Sequence, residues 1–189
     1  MRNLSNFIPF FVLIFLISVI GFSTYKISKK QEIEQRDIQQ SFDIRFVKEK
    51  IILPEFSLPN LFDEAENFSK KDLKGKYSLI NLFASWCTTC IAEHEVLLRL
   101  RDEGIIDIYG VAWRDINENT KKYLATNDNP FKKVATDNQA LFTKFIGIKA
   151  VPETLLINSE GDVVWRYAGN LEDHAVDEIR QFLSKNSRR

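Results

Sequence analysis

The tightest constraint on how this chain can fold is Trp86-Cys87-Thr88-Thr89-Cys90, a segment that holds both of its cysteines. A strand pattern, Leu79-Ile80-Asn81-Leu82-Phe83, leads into it, and a helical pattern leads out. Two cysteines cannot build a disulfide framework, so the pair is either a redox couple or half of a metal site. A junction between strand and helix suits exchange chemistry. The first thiol meets free backbone N–H groups and the positive end of the helix dipole, and both favour its thiolate. The second follows one helical turn later, near enough to close a small disulfide ring.

The chain has 189 residues, of which 44% are hydrophobic, with 15 phenylalanines, enough for one domain with a real core plus an appendage. Its 26 basic and 26 acidic residues cancel and are interspersed, so there is no basic footprint for nucleic acid. The appendage lies at the N-terminus. From Phe7 to Phe22 the chain carries no charge, and the stretch extends to Tyr25. A membrane-spanning helix needs about 17–25 apolar residues, whereas the apolar part of a cleaved signal peptide runs to about 7–15. Val19-Ile20-Gly21 makes a poor cleavage site, and Pro9 stands near the start, where it harms a helix least. Residues 1–25 are therefore expected to form an uncleaved membrane anchor. Arg2 precedes the segment and Lys26, Lys29 and Lys30 follow it, which read locally places the C-terminal part in the cytosol. Two considerations oppose that reading: long domains cross membranes largely regardless of charge, and a single C-x-x-C is at home in an oxidising compartment.

Residues 26–50 are rich in Lys, Glu and Gln and read as a polar stem, with the folded domain over 51–189. There, residues 54–59 are expected as an edge strand because prolines bracket them, and 69–75 as a helical turn. Strands follow at 77–83, 105–113 and 131–136, separated by helices at 87–101, 117–125 and 138–145. A hairpin turns at Ser159-Glu160-Gly161 between strands at 154–158 and 162–167, and a last helix covers 172–183. This β-α-β-α-β-α order, then a hairpin, then a helix, implies an α/β fold with a mixed central sheet flanked by helices.

The strand before WC-x-x-C and the Val151-Pro152 step before the hairpin resemble the thioredoxin fold. More narrowly, LINLFASWCTTCIAEH, the Asn129-Pro130 step, AVPETLLINSEGDVVWRYAGNL and the single N-terminal anchor resemble the membrane-anchored thioredoxin-like proteins of cytochrome c maturation, the CcmG/DsbE type. General thioredoxins carry a buried acid six residues before the first cysteine. This chain has Asn81 there, in keeping with the narrower family. Thr88 stands where many relatives carry proline or a hydrophobic residue, a position that tunes the redox potential.

The resemblance implies a thiol:disulfide oxidoreductase in which Cys87 is the exposed nucleophile, Cys90 the resolving thiol, and Cys87-Cys90 the redox-active disulfide. Trp86 would shield the pair and form part of the contact surface, or simply pack. Glu93, one turn past Cys90, would take a proton from it, or simply be solvated. Pro152 is expected to be cis, with the backbone of Val151 free to pair with an extended substrate. Glu153 would shape an acidic surface for the partner, or simply be a solvated loop acid. Asp115 would form an acidic rim or cap the helix beginning at Ile116.

Cys87, Cys90 and His94 also share one helical stripe, so a soft metal is a rival idea. A closed site wants four ligands, and only His174 remains as another histidine. No metal and no organic cofactor are expected, since the dithiol itself carries two electrons. By resemblance, the substrate is apocytochrome c or a cytochrome maturation protein. The electron donor is a membrane thiol-transfer protein of the DsbD/CcdA kind, and the catalytic domain faces the periplasm from a single-pass inner-membrane anchor. The competing readings are a general envelope reductase or oxidant, and a non-enzymatic apocytochrome holdase or metallochaperone.

Overall fold

The structure, a computed structural model, describes residues 8–186. The chain divides between Ile44 and Arg45 into two compact units. The first contains helix α1 (Ile8–Arg45). Among the described residues no helix is long and apolar enough to cross a membrane. Residues 1–7 of the expected anchor lie outside the described residues.

The second unit holds every strand among the described residues. The stretch expected as stem is helical as far as Arg45, and its last residues then enter the sheet as β1 (Phe46–Ile51). Lys48-Glu49-Lys50 disguises this strand, because an edge position tolerates charge and leaves no hydrophobic alternation to read. The other strands of the main sheet are β4 (Ser78–Phe83), β5 (Asp107–Trp113), β6 (Lys133–Asp137), β7 (Glu153–Ile157) and β8 (Val163–Ala168). Their order is β1-β8-β7-β4-β5-β6. β4, β5 and β6 run parallel, whereas β7, β8 and β1 each pair antiparallel with their neighbour. The edge strand expected over 54–59 shrinks to β2 (Ser57–Pro59). It pairs with β3 (Asn67–Ser69) in a separate two-stranded sheet, a partner too short to leave a pattern. Residues 70–73 form one 3₁₀ turn.

Alternation along the strands sorts the core into two layers. Leu79 and Phe83 of β4 pack with Leu97 and Leu100 of helix α2 (Thr88–Glu103) and with Val176 and Ile179 of helix α5 (Asp173–Asn186). Ile80 and Leu82 face the other way, toward Leu53, Phe68 and Phe142. Asn81 has the parity of Leu79 and Phe83, so this polar side chain is buried under α2, at 0% exposure. α2 stops at Gly104, whose φ of 64° suits glycine at a helix C-terminus. Helix α3 (Asn117–Asn127) follows β5. The helix expected over 138–145 is shorter, α4 (Leu141–Phe145), because Asp137 accepts from the backbone N–H groups of Leu141 and Thr143 and sets its start.

One edge of the sheet collects the chemistry. The parallel strands β4 and β5 end there, at Phe83 and Trp113, a few residues before Cys87 and Asp115, and the antiparallel β7 begins there, just after Val151-Pro152.

Candidate redox site

Cys87 is the N-cap of α2, with its φ of −88° and ψ of 110° outside the helical region. Its Sγ accepts from the Cys90 backbone N–H at 3.2 Å and lies 3.3 Å from the Thr89 hydroxyl. These donors, with the helix dipole, surround the sulfur with positive potential and favour a thiolate whenever the bond is open. Cys87 and Cys90 are joined as a disulfide, with Cα atoms 5.3 Å apart. The nucleophile expected to be exposed is covered in this oxidised form: Cys87 is 6% exposed and Cys90 3%. The reason is the opposing loop, where the Val151 carbonyl lies 3.6 Å from Cys87 Sγ. The Val151–Pro152 peptide is cis.

Trp86 is 57% exposed, its indole N–H donating to the Arg114 carbonyl at 3.3 Å and its ring centred 6.3 Å from that of Trp113. It stands beside the disulfide as surface, not as core. Behind the disulfide is Glu93, fully buried at 0% exposure. One oxygen accepts from Asn81 Nδ2 at 2.7 Å, the other from the Leu171 backbone N–H at 2.7 Å, and Asn81 also donates to Thr154 Oγ1 at 3.1 Å. Burial pushes the Glu93 carboxyl up to about 7, against the pull of both hydrogen bonds. Solvation is thereby replaced with a buried, polar, proton-holding site. The signal for it was Asn81: an amide on the core face of a central strand requires a polar partner opposite.

Other expected residues take different roles. Glu153 is 3% exposed and paired with Arg166, so it forms no acidic surface; burial raises its pKa even so. Asp115, at 6% exposure, is not a rim either. It accepts from Ser85 N at 2.6 Å, Ser85 Oγ at 3.0 Å, Ile116 N at 2.8 Å and Thr120 Oγ1 at 2.9 Å. It precedes the N-cap Ile116 and, through the Ile116 N–H and the Thr120 hydroxyl, fastens the start of α3 to the segment that leads into Trp86-Cys87. His94 turns away from the sulfurs. Its Nδ1 meets the Tyr123 hydroxyl at 2.8 Å, and its Nε2 meets the carbonyls of Asn127 and Asp128 at 3.0 Å. Among the described residues no group of three His, Cys, Asp or Glu side chains is placed to hold a metal ion. No sequence signal marks Thr154 and Arg166, whose partners are distant in the chain, or Thr89, whose hydroxyl meets Cys87 but whose residue type is too common to mark a site.

A disulfide at a helix N-terminus, faced by a cis-proline loop and backed by a buried carboxylate, defines a thioredoxin-fold thiol:disulfide oxidoreductase. Comparison with known proteins agrees with that class. The redoxin family description matches residues 47–183. The chain is 34% identical over 116 residues to the thiol:disulfide interchange protein DsbE of Pseudomonas aeruginosa, covering 61% of this chain and 64% of that protein, just under two thirds of its length. It is 33% identical to DsbE of Tatumella citrea, covering 72% of this chain and 74% of the relative. A secreted thiol-disulfide isomerase from Corynebacterium glutamicum shares the fold with a TM-score of 0.66 at 16% identity, over 75% of this chain and 91% of its own. The chain belongs to the redoxin family, among its thiol:disulfide interchange proteins of the DsbE type.

Proposed function

We propose that the protein is a membrane-anchored reductant of polypeptide disulfides in the periplasm, acting on apocytochrome c before haem attachment. The observation that carries the exchange chemistry is the Cys87-Cys90 disulfide itself, capping α2 beneath the Val151 carbonyl. The apocytochrome assignment is supported by the likeness to DsbE proteins and by the segments quoted above. Residues 1–25 would serve as the anchor in the inner membrane, 26–44 as its connection, and 45–189, with β1 in the sheet, as the catalytic domain.

In the forward direction, reduced Cys87 attacks a substrate disulfide as the thiolate. A mixed disulfide forms and one substrate sulfur leaves as thiolate. Cys90 then loses its proton and attacks Cys87 Sγ, which closes the ring seen here and releases the second substrate sulfur. Two electrons pass to the substrate and the protein is left oxidised. Glu93 lies on the buried face of α2 one turn from Cys90, and with its pKa near neutrality it is suited to take that proton. A membrane dithiol donor of the DsbD/CcdA kind would reopen the ring. Trp86 would supply apolar contact surface, and the backbone of Val151 would pair with the extended substrate.

The test uses an oxidised peptide carrying Cys-x-x-Cys-His, the haem-attachment pattern. Reduced Cys90→Ser protein should trap it as a covalent adduct through Cys87, whereas the unmodified protein should release reduced peptide. A holdase would bind the peptide equally well after Cys87→Ser and give no adduct, and that result would end the redox reading.

A further inference from the structure

Arg166, on β8, uses all three guanidinium nitrogens on one loop. Its Nε pairs with the Glu153 carboxylate, Nη1 donates to the Ile146 carbonyl at 3.3 Å, and Nη2 donates to the Gly147 carbonyl at 3.2 Å. Ile146 and Gly147 open the loop that crosses from α4 to β7, and Glu153 closes it. A single planar side chain thus clasps both ends of the segment within which Val151, two residues before Glu153, lies against Cys87 Sγ. The loop is also tied by the Ile146 N–H to the Phe142 carbonyl and the Gly147 N–H to the Lys144 carbonyl, each at 3.2 Å, by the Ile148 N–H to the Thr143 carbonyl at 2.8 Å, and by the Gly169 N–H to the Pro152 carbonyl at 2.9 Å. Beside it opens a groove of 440 Å³, lined by Lys149, Val151, Pro152, Arg166 and Gly169 among others. Glu153 gives the clasp its strength, because a carboxylate buried to 3% exposure needs a matched cation, and the rigid fork of arginine can serve it and two carbonyls at once.

We propose that Arg166 is the positioning residue that sets the Val151–Pro152 loop in register for polypeptide disulfides. Building on the dithiol-exchange reading above, the clasp acts on substrate alignment and leaves the sulfur chemistry alone. A polypeptide must lie along the loop to bring its disulfide to Cys87, whereas a small disulfide needs only access to the sulfur. Arg166 touches neither sulfur, so its effect should depend on the size of the substrate.

The experiment compares second-order rates of the reduced full chain with an oxidised Cys-x-x-Cys-His peptide and with hydroxyethyl disulfide. Arg166→Gln is expected to slow the peptide about 10-fold or more, the scale of misplaced reacting groups, and to change the small disulfide by no more than about twofold. Arg166→Lys keeps a charge opposite Glu153 but cannot span both carbonyls, and it should show the same selective loss. Because Arg166→Gln leaves a buried charge unpaired and can destabilise the fold, the double variant Arg166→Gln/Glu153→Gln is measured beside it and should show the same split. Equal slowing on both disulfides, or no slowing on either, in the folded variants would overturn the proposal. Failure of the unmodified protein to reduce hydroxyethyl disulfide would instead overturn the exchange reading on which the proposal rests.

Discussion

Glu93 is a carboxylate that the fold buries without a cation. Two hydrogen bonds, from Asn81 and Leu171, offset only part of its desolvation, and the pKa rises from 4.5 to about 7. The consequence for stability has a definite sign. A raised folded-state pKa means that the native protein holds the proton more tightly than the unfolded chain. Glu93 therefore favours folding fully at acid pH and progressively less as pH climbs from about 4.5 to 7. A shift of this size corresponds to about 3 kcal/mol over that window, at about 1.4 kcal/mol per pKa unit. Glu93→Gln keeps the shape and removes the titration. Its denaturant-derived stability, compared with that of the unmodified protein at pH 5 and pH 8, should gain relative to it at the higher pH. Parallel pH profiles would show that Glu93 is not buried in this way. On the proposed mechanism, in which Glu93 takes the Cys90 proton, the same substitution should slow exchange at the resolving step.

Among the elements, β5 illustrates how close the packing is under the site. Gly110 sits opposite Asn81 on β4 and beneath the Phe131 ring, where an added Cβ would come within 2.8 Å of the ring carbons. That ring stacks on Phe83, the last residue of β4, with centroids 4.9 Å apart. Gly110→Ala must therefore push Phe131 against Phe83, close to the start of the Trp86-Cys87 segment. Overpacking of this kind costs about 1–3 kcal/mol, which should appear as a lower denaturation midpoint with the disulfide still able to form. An unchanged midpoint would mean that the ring has room to move. Elements that carry their own pattern were legible from the sequence: β4 by its apolar run, α2 by its leucines, and the β7–β8 hairpin by its glycine turn. β1 and β3 were not, since one is a charged edge strand and the other is three residues long.

For the molecule as a whole, the chain order announced an α/β sheet, and the placement of C-x-x-C and Val151-Pro152 announced which edge carries the chemistry. What surrounds the disulfide was less accessible. Glu153 read as a surface acid, and Asp115 as a rim or a helix cap, because sequence separation hides Arg166, 13 residues beyond Glu153, and Ser85, 30 residues before Asp115. Asn81 and Glu93 were both singled out, but only the packing of α2 on β4 shows that they bond to each other. Long-range pairing of polar groups is set by topology, and periodicity carries no trace of it. The proposed role rests on the direction in which this assembled site passes electrons, because thioredoxin-fold pairs span about −270 to −120 mV and serve both reductants and oxidants. The most direct test is the equilibrium reduction potential of Cys87-Cys90 in the full chain, measured against a glutathione or dithiothreitol buffer. A value well below about −180 mV is predicted and marks a reductant, whereas a value near about −120 mV would make the protein an oxidant and contradict the account.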